Sequence, residues 1–138
     1  MGNIEKKARF LVVGFSAREM STFGQELLGD IKTRIARGMD VNDKPAIPLS
    51  PKYATWKARN APPAIRNLRV TGATMAALRV MNVQDNSVTI GFSNPKSARI
   101  GAENSNKSKQ IGASENDLKT VREKMKMSWF NPIFRGSF

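Results

Sequence analysis

The chain has 138 residues, a formal net charge of +12 at pH 7, and neither cysteine nor histidine. That length suits one domain with a core of its own, while the missing thiol and imidazole remove disulfides, thiolate metal sites and the commonest general base. No apolar run approaches the ~20 residues that a bilayer-spanning helix needs, and Phe10-Leu11-Val12-Val13 is too short for a signal-peptide core. The chain is therefore expected in the cytoplasm, and away from membranes.

Residues 8–14 are rich in β-branched and aromatic side chains and read as a strand. Ser16 and Glu19 then make a capping box, with Phe15 and Met20 placed for a hydrophobic staple. Met20, Phe23, Leu27, Ile31 and Ile35 recur every three or four residues, and Gly38 is a natural stop. This predicts a long helix whose apolar stripe covers a sheet. Burying five such side chains supplies ~8–15 kcal/mol of gross hydrophobic stabilisation, most of it offset by ordering entropy.

A loop leads to Ser50-Pro51, a helix start in which serine caps free N–H groups and proline suits the first helical position. Tyr53 and Trp56 lie on one face of that helix, and the expectation is that both enter the core. After Pro62-Pro63, Thr71 is placed to cap a second short helix carrying Met75 and Leu78. Val88, Ile90 and Phe92 alternate with polar or small residues at strand period, and Asp85-Asn86 suits a two-residue turn. That turn pairs Val83 with Val88 and Met81 with Ile90.

Residues 94–111 are polar, with a short helix conceivable at 97–103 and a run at 103–109 that reads as mobile on its own. Ser114 and Asp117 form a second capping box, opening a helix with Leu118, Val121 and Met125 on one face. This helix is expected to end before Trp129, because Asn131-Pro132 disfavours its continuation. Residues 1–128 then form the domain, and 129–138 a C-terminal aromatic arm. Its apolar residues Trp129, Phe130, Ile133, Phe134 and Phe138 need a surface, either this domain's own core or a neighbouring subunit, and the expectation is a subunit interface. The fold class expected is α+β: a long N-terminal helix on a small antiparallel sheet, with short additional helices and the arm.

Four segments in this order, "IPLSPKYATWKAR", "LRVTGATMAALRV", "VTIGFS" and "QIGASENDL", give the chain a resemblance to the tail-completion and head–tail joining proteins of tailed bacteriophages. The likeness spans roughly residues 8–126 and lies in order and spacing, not in any one motif. It departs at 98–104, where many such proteins carry a histidine, and at 109–112, where an arginine and a bulkier pair are common. What the resemblance implies is a structural virion protein in the neck or tail, made in the host cytoplasm. It would form a homo-oligomeric ring, a hexamer or dodecamer, and touch neck, portal-adaptor or tail-tube proteins and packaged DNA in the channel.

Charge gives the candidate contact residues. Seven basic residues and no acidic one fall between Lys44 and Gln84, whereas the first forty residues carry seven basic and five acidic. Lys44, Lys52, Lys57, Arg59, Arg66 and Arg69 are candidates for touching DNA or an acidic partner. An alternative function is nucleic-acid binding, with Tyr53 and Trp56 stacking on bases between the basic side chains. Enzymatic activity is not expected. Asp40 with Asp43, and Glu115 with Asp117, read as loop and helix-dipole carboxylates, and no nucleotide-binding glycine pattern is present. No catalytic residue, metal or cofactor is assigned.

Overall fold

The computed structural model describes residues 7–11 and 14–130, with side chains at 9 and 14–128. Its elements are β1 (Lys7–Leu11), α1 (Ala17–Ala36), α2 (Pro51–Asn60), α3 (Ala73–Ala77), β2 (Leu78–Gln84), β3 (Ser87–Phe92), α4 (Pro95–Lys107) and α5 (Glu115–Phe130). The fold is α+β, with three antiparallel strands in the order β1-β3-β2. The long N-terminal helix α1 packs on β2 and β3, α5 packs on α1, and α4 sits beside α3 and β3.

Local chemistry builds α1 as the sequence implies. Ser16 N–H donates to Glu19 Oε1 at 3.2 Å, and Glu19 N–H returns to Ser16 Oγ at 3.3 Å. Gly38, at φ +73°, ends the helix in a conformation that side chains resist. Met20, Phe23, Leu27, Ile31 and Ile35 are all buried against the sheet. Gly24 permits the close approach: a Cβ there would lie 2.5 Å from Val88 Cγ2. The hairpin turn clasps the start of α1, since Asn86 Oδ1 accepts from Phe15 N–H and Asp85 Oδ1 from Ala17 N–H, both at 2.7 Å.

Four expectations are corrected. The hairpin does pair Val83 with Val88, but Ile90 faces Val80, not Met81. Met81 is the extra residue of a β-bulge and is exposed. An unbroken ladder would turn Arg79 toward the core with Met81; the bulge turns Leu78 and Val80 inward instead.

The short helix at 97–103 is longer than expected and takes in most of the run at 103–109 that reads as mobile. Asn94 caps α4 by accepting from Ser97 N–H at 2.8 Å, and the helix runs thirteen residues to Lys107. Gly101 lets this helix press on Phe92, because a Cβ there would sit 2.5 Å from the ring's Cε2.

Tyr53 and Trp56 do not enter the core. They are 40% and 46% exposed, and stack on one another at 5.6 Å between ring centroids. Of the ten residues of α2, Lys57 alone is buried.

Finally, α5 starts at the expected capping box, with Ser114 N–H on Asp117 Oδ2 at 3.0 Å, but its backbone stays helical through Phe130. The boundary expected after residue 128 therefore falls inside a helix. The side chains of Trp129 and Phe130, and Ile133, Phe134 and Phe138 entirely, lie outside the described residues. Among the described residues no helix is long and apolar enough to cross a membrane.

Candidate partner-binding groove

The six basic residues singled out by charge have different fates. Lys44, Lys52 and Arg59 are exposed: Lys44 in the loop before α2, Lys52 in its first turn, Arg59 in its last. Lys57 is the correction among them. It is 2% exposed, and its ammonium donates to the carbonyls of Ala61 at 2.9 Å and Pro63 at 2.6 Å. Among the described residues no carboxylate lies within ion-pair distance of it. Desolvation lowers its pKa below the ordinary lysine value, and the neighbouring positive charge of Arg69 pushes the same way. Lys57 thus anchors α2 to the loop that follows, instead of offering a solvated contact.

Arg66 is pinned as well. Its Nε donates to Ile47 O at 2.7 Å and its Nη1 to Asn104 Oδ1 at 3.2 Å. Behind it lies a buried amide network: Asn104 Nδ2 donates to Gln110 Oε1 at 2.9 Å, and Gln110 Nε2 to Arg66 O at 2.7 Å. Gln110 is fully buried. Both of its amide ends are satisfied, as a buried amide requires. Leu68 takes φ +58° in this segment and packs toward the core, while Arg69 and Val70 stay exposed.

These constraints frame a groove of about 570 Å³ between α4, the start of α2 and residues 65–74. Lys57, Arg66 and Arg69 meet there; Lys44, Lys52 and Arg59 do not line it. Two further cations, Lys96 and Lys107, line it from α4, with Glu103 between them. Sequence reading missed both lysines. The signal is there in Lys96, Ile100, Glu103 and Lys107, which fall on one face of a helix, but a polar segment with few apolar residues gives that face little weight.

The carboxylates weighed for chemistry hold structure. Asp40 Oδ1 accepts from Asn42 and Lys44 N–H, Asp43 Oδ2 from Asn116 N–H, and Asp117 pairs with buried Arg34. Glu115 is exposed beside Arg122. Among the described residues no cluster of three or more acidic side chains is arranged to hold a metal ion.

Comparison with protein-family models, with curated proteins and with solved structures found no match to this chain.

Proposed function

We propose that this chain is a structural virion protein that forms a ring at the neck or tail end of a tailed phage, completing the tail or joining it to the head. The resemblance of its four ordered segments motivates the reading. One observation of the molecule supports it. Among the described residues, five of the eight large exposed apolar side chains, Ile47, Tyr53, Trp56, Ile65 and Val70, fall within the first two of those segments or between them. Two of them, Tyr53 and Trp56, stack on α2, a helix with one buried residue, and exposed apolar side chains gathered in one part of the sequence suit a protein contact more than free solvent. In this reading the chain works by assembly and carries out no covalent chemistry. Trp129, Phe130, Ile133, Phe134 and Phe138 would supply the contact between copies, and the exposed stretch at 47–70 a contact with a neighbouring protein.

Native mass spectrometry and electron microscopy test the reading, on the purified chain and on particles. The expected result is a closed ring of six or twelve copies, alone or on the particle. A chain that stays monomeric at high concentration and is absent from particles would overturn it. Deleting residues 131–138 should leave a folded chain that no longer assembles.

One observation favours nucleic-acid binding as a second reading: the exposed Tyr53–Trp56 stack lies on the same helix as exposed Lys52 and Arg59. Binding through phosphates would weaken linearly with salt on logarithmic axes, at a slope of roughly −0.7 per phosphate neutralised on a single strand.

A further inference from the structure

The groove beside α4 combines two features that point to one kind of ligand. Its lining holds five cations, Lys57, Arg66, Arg69, Lys96 and Lys107, against the single carboxylate of Glu103. Its walls also expose aliphatic surface, since Ile65, Val70 and Ile100 are 37%, 48% and 36% exposed. At one end the buried ammonium of Lys57 uses two of its three N–H donors on carbonyls and has no anionic partner among the described residues. That ammonium is already held by carbonyls, so the charges open to a ligand are those of the exposed Arg69, Lys96 and Lys107.

We propose that this groove binds an extended acidic peptide segment of a partner protein, one in which apolar side chains alternate with carboxylates. The apolar side chains would cover Ile65, Val70 and Ile100, and the carboxylates would face Arg69, Lys96 and Lys107. A second copy of this chain is a poor occupant, because each copy carries a net charge of +12. Nucleic acid would supply anions but little aliphatic surface to cover the walls, which are what give a protein contact its dry centre. The inference does not depend on the ring reading, and its test involves no assembly.

The test is fluorescence anisotropy on the full chain with a labelled octapeptide alternating Asp or Glu with Leu or Phe. Two control probes are the same peptide with serine at the apolar positions and an oligothymidylate of equal charge. Saturable binding with a dissociation constant of ~10–100 μM is expected for the first probe. Arg69→Glu should weaken it about tenfold, as should the pair Val70→Ser and Ile100→Ser, with circular dichroism unchanged. Lys96→Glu with Lys107→Glu gives an independent variant on the opposite wall, expected to act in the same direction. Absence of saturation at ~1 mM would overturn the proposal, as would equal affinity for the serine peptide. Equal or tighter binding of the oligothymidylate, lost on Arg69→Glu, would also overturn it and make the groove a nucleic-acid surface.

Discussion

Arg34 and Asp117 meet in the interior, Nε to Oδ2 at 2.9 Å, across 83 positions of sequence. Both side chains are about 95% buried, since their exposures are 5% and 6%. The rest of the guanidinium donates to the carbonyls of Met39, Gln110 and Gly112. One side chain on α1 thereby holds the loop after that helix, the segment before α5, and the first turn of α5. Removing one partner of such a pair leaves a buried charge without compensation. Arg34→Ala or Asp117→Ala is expected to destabilise by ~3–5 kcal/mol, and Arg34→Lys by much of that because lysine lacks the fork. Chemical denaturation checks it; a loss below ~1 kcal/mol for both alanine variants would mean that the pair contributes little.

Three helix glycines separate close packing from helix propensity. At Gly101 a methyl group would meet the Phe92 ring at 2.5 Å, and that ring is itself buried. At Gly24 it would meet the stiff side chain of buried Val88. At Gly29 nothing lies within 4 Å. Alanine favours a helix interior by up to ~1 kcal/mol over glycine, whereas overpacking costs about 1–3 kcal/mol. Gly29→Ala should therefore raise the melting temperature, and Gly101→Ala and Gly24→Ala should lower it. A rise for all three would show that the helices have room to back away.

Asp30 lies where acidity accumulates between α1 and α5. Burial raises its pKa above 3.8, Asp117 and Glu26 add to the rise, and Lys124 opposes it. Its folded-state pKa is thus above the unfolded one. Between the two values the folded chain holds a proton that the unfolded chain has lost, so this group's contribution favours folding at lower pH and is lost as pH rises through the window. Asp30→Asn should accordingly raise the melting temperature at pH 7, with the advantage shrinking as pH falls toward 4. An advantage independent of pH would assign the effect to something other than charge.

Lys57 offers a local test. Because it is the one buried residue of α2, replacing it with methionine should loosen that helix more than the whole fold. Two carbonyls, on Ala61 and Pro63, lose their donor. Faster amide exchange is expected across residues 51–66, with the exchange of α1 nearly unchanged. Equal acceleration in α1 would make α2 part of the global core.

Much of this molecule is set by short-range chemistry and could be read from the chain. The capping boxes at Ser16 and Ser114, the apolar stripe of α1, the stop at Gly38 and the turn at Asp85-Asn86 each depend on residues within a few positions of one another. Pairings across long sequence distances left no such mark. Whether Tyr53 and Trp56 face solvent depends on what α2 has beside it, and their three-residue spacing says nothing of that. The bulge at Met81 answers to which of Leu78, Arg79, Val80 and Met81 the underside of α1 will accept. Gln110 looks like a loop residue until its amide reaches the carbonyls of Met39 and Arg66 in the interior. Lys57 differs: its carbonyl partners lie only four and six positions on, but an ammonium is buried only when carbonyls are folded around it, and the irregular backbone after α2 that brings them there carries no regular sequence pattern.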